Sequence, residues 1–253
     1  MSITFSPVRT PRKSATFNLG ELVDMVVGED LRDGDVLVVS SKFVAISEGR
    51  VVDLRSVVPG RTAVSMSRRL GMSPELCELV IRESDEVIGG VTGFMLTLKE
   101  GLLTPNAGID KSNIEHGKVV LYPRDPLASA KALVEELRFR RGVEVGVVIS
   151  DSRLTPTRRG TVGVALAAAD VEAIVDLRGR PDLFGNVLKV TSQAVADDIC
   201  SGAQVVMGEA NESTPIVLVR GIPGRARGSY QMSSFAISPE ECVYMRSLGY
   251  RSR

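Results

Sequence analysis

Three acidic side chains stand next to hydroxyls or amides at the ends of apolar segments: Asp110 in "NAGIDKSN", Asp151 with Ser152 in "VVISDSR", and Glu209 in "VVMGEANEST". Carboxylate and hydroxyl oxygens suit hard divalent cations such as Mg²⁺ and Mn²⁺, which commonly bridge protein carboxylates to phosphate oxygens. Long intervals separate the three, so only the fold can bring them together. Taken singly, each is better explained as a solvated surface group, and "TPNAGIDKSN" (residues 104 to 113) has the composition of a turn, because Gly takes positive φ cheaply and Asx side chains bond nearby backbone.

The company these acids keep is suggestive. "SRLTPTRRGTVG" places Arg158 and Arg159 after Asp151, and planar guanidinium groups recognise phosphate or carboxylate through paired hydrogen bonds, although a plain surface loop reads the same way. "DLRGRPDLFGN" mixes Arg178 and Arg180 with Asp176 and Asp182 and reads as an internally salt-bridged loop. "GEANESTP" offers backbone amides that could wrap a phosphate, or carboxylates that could hold a metal. The usual nucleotide signatures are missing: there is no GxxxxGK[ST] loop and no GxGxxG after a strand. His116, the single imidazole, precedes Gly117 and reads as a surface or turn residue, which counts against a Ser-His or Cys-His mechanism.

These groups need a scaffold, and the apolar pattern supplies one. "DGDVLVVSSK" opens with a turn signal and runs into a buried strand, Val36 to Val39, with Ser40, Ser41 and Lys42 at its exit. "VEVGVVISDS" reads as a core strand ending in Ser150, Asp151 and Ser152, and "TPIVLVRG" as another. "SPELCELVIRES" has Ser73 as N-cap and Pro74 at the first helical position. "DPLASAKALVEELRFRRG" carries Leu127, Ala130, Val134 and Leu137 on one face, with Gly142 as the stop. "TSQAVADDICSGA" reads as a helix, and "SPEECVYMRSLGY" as a terminal helix whose Ser238 and Glu241 form a capping box. Helices and strands interleave without a βαβ rhythm, which predicts a mixed α+β architecture rather than a doubly wound sheet. The chain reads as a single domain, 1–253, with a candidate second lobe between about 60 and 200.

Composition narrows the function classes. The 253 residues can bury a core without staples. Lys plus Arg (31) balance Asp plus Glu (31), and aromatics are 4% with no Trp, which disfavours nucleic acid as a partner. Cys77, Cys200 and Cys242 lie far apart without a CxxC, arguing against zinc or a disulfide framework. The N-terminal "MSITFSPVRTPRKS" lacks an apolar signal core, and no run approaches the roughly 20 apolar residues of a membrane helix. The expectation is a cytoplasmic protein with no membrane partner.

Together the motifs resemble one family, the coenzyme F420-0:L-glutamate ligases, GTP-dependent enzymes that add glutamate to a deazaflavin cofactor. The resemblance runs from "FSPV" to "IVLVRG" through "DGDVLVVSSK", "SEGRVV", "NAGIDKSN", "DPLASA", "VVISDS", "RRGTVGVAL", "AVADDI" and "MGEANESTPIVLVRG". It implies a homodimer of an uncommon mixed-sheet α+β fold, with GTP and two divalent cations, Mg²⁺ or Mn²⁺, in a groove, and K⁺ as a candidate further ion. By matching motifs, Asp110, Asp151, Ser152 and Glu209 fall on metal positions, Asp110 and Asp151 being the catalytic pair. Nucleotide positions fall on Ser41, Lys42, Asn113, the loop Met207, Gly208, Glu209, Ala210, Asn211, Glu212, Ser213 and Thr214, and the segment Thr10, Pro11, Arg12 and Lys13. The implied substrates are coenzyme F420-0 and L-glutamate.

The chain departs from the family pattern in places. "AISEGR" puts Ile46 where "SKAEGR" has a lysine that would approach the nucleotide, and Lys42 is the residue placed to compensate. "SRLTPTRRG" replaces the commoner "DTFGRPWR" style, and "TPRK" is more basic than the usual apolar loop. Two rival readings follow: a related nucleotide-dependent amide ligase acting on another acceptor, and a non-catalytic nucleotide-binding homologue.

Overall fold

Neighbouring residues in three of the apolar runs point to opposite sides of one sheet, and both sides are covered. The computed structural model describes residues 2–223 and 228–250. In chain order its elements begin β1 (Thr4–Val8), α1 (Leu19–Val27), β2 (Val36–Ser40), α2 (Ser41–Ser47), β3 (Val51–Asp53), α3 (Arg61–Leu70), α4 (Pro74–Glu83), β4 (Glu86–Val91), β5 (Phe94–Lys99), β6 (Leu102–Pro105) and β7 (Lys118–Val120). They continue α5 (Pro126–Arg141), β8 (Gly146–Leu154), β9 (Thr161–Ala169), β10 (Val175–Asp176), β11 (Ser192–Gln193), α6 (Val195–Met207), β12 (Ile216–Arg220), β13 (Ser229–Tyr230) and α7 (Val243–Ser247).

The main sheet has the order β1-β12-β2-β8-β9-β13, in which only β2 and β8 pair in parallel. Leu37 and Val39 of β2, Val147 and Ile149 of β8, and Ile216 and Leu218 of β12 pack with α1 and α5. Val36, Val38, Val148, Val217 and Val219 face the other way, onto α6. Burial on both sides explains why these strands read as continuous apolar runs instead of alternating ones. The architecture is mixed α+β with a mixed sheet, as the sequence pattern predicts.

A separate packing cluster spans residues 57 to 121 and joins α3 and α4 to the small sheet β4-β5-β6. Strands β8 and β9, which fall within the span of the candidate lobe, belong to the main sheet. Local helix signals act as expected. The Ser73 side chain accepts the Leu76 N–H at 3.2 Å with Pro74 opening α4, and Gly142, at φ +67°, ends α5.

Three boundaries differ from expectation. β8 does not stop at Ser152, because β9 stays paired with it from Asp151↔Val164 through to Leu154↔Thr161. The helix expected from Thr191 begins at Val195, because Ser192 and Gln193 are taken up in pairing with Asp176 and Val175. The terminal helix is confined to Val243–Ser247: Ser238 and Glu241 are bonded to one another, but they close a turn ahead of it.

Candidate functional site

The parallel pair β2 and β8 ends in register at Ser40↔Ser150. There the chain of β2 turns away into α2 while β8 carries on, opening a crevice at the carboxyl ends of the strands, where open α/β sheets commonly bind ligands. The antiparallel neighbours bring their loops to the same edge. β1 leaves at Val8, opposite Ile216 at the start of β12, and the Thr10 N–H donates to the Ser213 carbonyl at 3.0 Å.

The result is a groove of about 450 Å³. Every residue that the family resemblance places on a metal or nucleotide position lines it: Thr10 to Lys13, Ser41, Lys42, Asp110, Asn113, Asp151, Ser152 and the whole loop Met207 to Thr214; Arg158 and Arg159 do not, and stand exposed beyond the end of β8. Ile46 is also in its wall, 4% exposed, packed with Ala45 and Val120. His116 is exposed in a turn, Cys77 and Cys200 are buried free thiols, and Arg178 pairs with Asp176 at 2.7 Å, as the plainer readings of those residues expect.

The "TPNAGIDKSN" stretch is more than a surface turn. Asn106 and Ala107 are buried, and both take positive φ. The Asp110 backbone exchanges two hydrogen bonds with Val120, at 2.9 and 2.8 Å, locking the loop beside β7. Asn113 then crosses to the far rim, where its side-chain amide donates to the Ala210 carbonyl at 2.7 Å. The 207–214 loop is held by the Thr214 hydroxyl on the Met207 carbonyl at 2.7 Å and by the Ala210 N–H on Glu212 at 2.8 Å.

Charge is distributed unevenly across the groove. Lys42 Nζ lies 2.7 Å from Asp110 Oδ2 and 2.7 Å from Ser112 Oγ, while the Ser112 N–H donates to Asp110 Oδ1 at 2.6 Å. Burial works to raise the Asp110 pKa, but the Lys42 ammonium and these bonds outweigh it and hold the carboxyl below its usual range. Asp151 is the opposite case: burial pushes its carboxyl up, against the pull of Arg153 and bonds from Tyr122 and Ser41. Ser41 donates to Asp151 Oδ1 at 3.1 Å, and the Tyr122 hydroxyl donates to Oδ2. Glu209 is exposed at the rim, bonded to Thr161 Oγ1 at 3.1 Å and to Gln204.

The four candidate metal donors are all oxygens facing one groove, which fits a hard cation. Among the described residues, no three His, Cys, Asp or Glu side chains are drawn together tightly enough to hold a metal. The Lys42 ammonium is the cation resting on Asp110 instead.

Two residues beside Asp151 lie outside any recognised motif. Tyr122, 2% exposed, and Arg153, on the same strand as Asp151, lie in "VVLYPRD" and "SDSRLT", stretches without recognisable spacing. An acid two residues before an arginine on one strand face was the available hint for Arg153.

Groove and fold together define an α+β protein with a cleft lined both by carboxylate and hydroxyl oxygens and by basic groups, Lys42, Arg12 and Lys13. The sequence profile described as F420-0:Gamma-glutamyl ligase matches residues 8–221, and the chain belongs to that family. It is 39% identical over 197 residues to the "Coenzyme F420:L-glutamate ligase" of Methanothermobacter thermautotrophicus, covering 78% of each chain. The protein of the same name from Archaeoglobus fulgidus is 38% identical over 231 residues, 91% of each chain, and that of Methanopyrus kandleri 37% over 223 residues, 87% of this chain and 88% of its own.

Proposed function

We propose that this protein is a GTP-dependent ligase that joins L-glutamate to coenzyme F420-0 through an acyl phosphate. The observation that carries the reading is the convergence on one groove of all the segments expected to bind nucleotide and metal, drawn from residues 10 to 214. Its relatives' shared name supplies the substrates.

A carboxylate and an amine do not condense in water, so one must first be activated. A terminal carboxylate oxygen of F420-0 attacks the γ-phosphorus, GDP leaves, and the free amine of glutamate then attacks the acyl carbon as phosphate departs. The chain's own work is positioning and charge neutralisation. Lys42, Arg12 and Lys13 offer positive charge to the triphosphate, and the backbone of Met207 to Thr214 with Asn113 forms the opposite wall. Asp110, Asp151, Ser152 and Glu209 would hold two Mg²⁺ or Mn²⁺ ions, with K⁺ as a candidate third ion. Bound divalent ions lower the cost of bringing an anionic carboxylate up to a phosphate. Lys42, which rests on Asp110 at 2.7 Å, would then be released to offer its ammonium to the nucleotide.

The working unit in this reading is a single-domain chain, paired as a homodimer in the cytoplasm. An arm formed by residues 175–193 supports the pairing: it carries Leu183, 100% exposed, Phe184, 91% exposed, and Val190, 88% exposed, apolar surface that a second copy would cover. Light scattering should give twice the chain mass, and Phe184→Asp should shift it toward one.

The deciding experiment incubates purified protein with F420-0, glutamate, GTP and Mn²⁺. A mass gain of one glutamate is expected, and no gain under any metal overturns the reading. A second reading, an amide ligase for a different acceptor, is favoured by Ile46, whose apolar side chain stands in the groove wall. Offering several acceptors with GTP and with ATP, then weighing the products, separates the two.

A further inference from the structure

The segment from Val120 to Tyr122 links the two aspartates of the groove. The Tyr122 ring is buried beneath Gly108 of the Asp110 loop, where φ is +76° and a Cβ would lie 2.1 Å from the ring, so only glycine lets the loop settle there. Two residues earlier, Val120 holds the Asp110 backbone by the reciprocal bonds already described. At its other end, the Tyr122 hydroxyl donates to Asp151 Oδ2 and accepts from Arg153 Nη2 at 3.3 Å. One three-residue segment therefore touches both acids: Asp110 through backbone, Asp151 through a side chain.

The arrangement is more specific than packing requires. A phenylalanine would fill the same space under Gly108. Here a hydroxyl reaches the second oxygen of a carboxylate whose first oxygen already takes Ser41 Oγ, so the Asp151 plane is fixed from two sides. Behind it, Arg153 spends its Nη2 on the tyrosine while its buried Nε finds no acceptor among the described residues. A guanidinium left partly unsatisfied below a site costs stability, and such costs are tolerated where they serve a function.

We propose that Tyr122, backed by Arg153, is a positioning residue that fixes the Asp151 carboxylate relative to Asp110, so that both acids present oxygens to one ligand. The proposal rests on the ligase reading of the groove. Partners behind a metal-binding carboxylate set its orientation, and losing one typically costs about 10–100-fold in metal affinity or activity. Tyr122 itself does not touch the reacting atoms.

The test compares wild type, Tyr122→Phe, Arg153→Met and Arg153→Lys by two readouts: Mn²⁺ titration followed by electron paramagnetic resonance, and steady-state glutamate addition. For Tyr122→Phe, Mn²⁺ affinity should weaken and kcat should fall by about 10–100-fold, with KM for GTP unchanged and the protein still folded. Arg153→Met should fall in the same direction, and Arg153→Lys should recover part of the loss. Wild-type Mn²⁺ affinity and kcat in Tyr122→Phe, even with a lowered melting temperature, would reduce the residue to packing and overturn the proposal. A loss confined to KM would overturn it too. Wild-type protein that binds Mn²⁺ but adds no glutamate sinks the ligase reading while the titration still decides Tyr122; wild type that binds no Mn²⁺ at all ends both.

Discussion

Asp110 and Asp151 line the same groove, yet their surroundings move their carboxyl groups to opposite sides of the ordinary range. Both are penalised by burial. Asp110 has a full positive charge in contact, Lys42 Nζ at 2.7 Å, and the charge wins. Asp151 has neutral hydroxyls in contact, Ser41 and Tyr122, with the charge of Arg153 set one residue behind, and burial wins. A direct ion pair compensates for lost hydration better than hydrogen bonds from uncharged donors. The loop side of the groove is thus a settled anion, and the strand side is an acid kept under electrostatic pressure, better suited to receiving a cation.

The contrast is broken most completely at Asp151. Asp151→Asn keeps the shape and removes the charge; it should lower turnover by at least about a thousandfold, since several kcal/mol of charge stabilisation disappear. It should also melt no lower than wild type in EDTA at neutral pH, because a carboxylate under burial pressure is no asset to the fold. Calorimetry beside a product assay checks both halves, and a variant that turns over normally removes Asp151 from the site.

Lys42→Ala comes next. It removes the charge that separates the two acids, and the cost expected for a charge-assisted contact to phosphate is about 10- to 100-fold in GTP affinity, by titration calorimetry. Unchanged affinity would place Lys42 outside the nucleotide site.

Acidity sharpens the comparison further. Asp110, with its pKa lowered, stabilises the fold above the unfolded value of 3.8, and that contribution is lost as pH falls through the lower folded value. Asp151, with its pKa raised, behaves in reverse: the fold is favoured while the group is protonated, and the advantage is lost as pH rises from 3.8 through the raised value. Melting curves in EDTA should therefore show Asp110→Asn converging on wild type in acid, and Asp151→Asn gaining on wild type as pH rises. Parallel curves for the two variants would dissolve the distinction.

The smallest effect belongs to the rim. Glu209 is exposed and already shared between Thr161 and Gln204, so Glu209→Gln should raise the Mn²⁺ concentration needed for activity only a few-fold, about 1 kcal/mol or less for an exposed charge. A loss as large as that of Asp151→Asn would show that rim and floor are equal partners.

Much of this molecule can be read in its residues because the signals are local. The runs at 36–39, 146–149 and 216–219 are apolar at every position because both sides of the sheet are covered, and Ser73-Pro74 and Gly142 mark helix ends through their own backbone and side-chain preferences. The order of motifs picked out groove residues from five distant segments, since each segment keeps a recognisable composition. The boundaries that shifted, at Ser152, Thr191 and Ser238, shifted because a strand partner or a turn claimed residues whose own preferences allowed either state.

By itself, then, the sequence determined the elements and the mixed α+β class, which depend on short-range periodicity and torsional preference, while the set of oxygen-bearing side chains was legible only through the order of motifs that resembles the family. Only the tertiary structure decided that Lys42 would rest on Asp110, that Tyr122 and Arg153 would stand behind Asp151, and that the two acids would differ in charge environment. Those outcomes depend on burial and on distances between segments far apart in the chain, and electrostatic energies change with ångströms of separation that no neighbouring residue encodes.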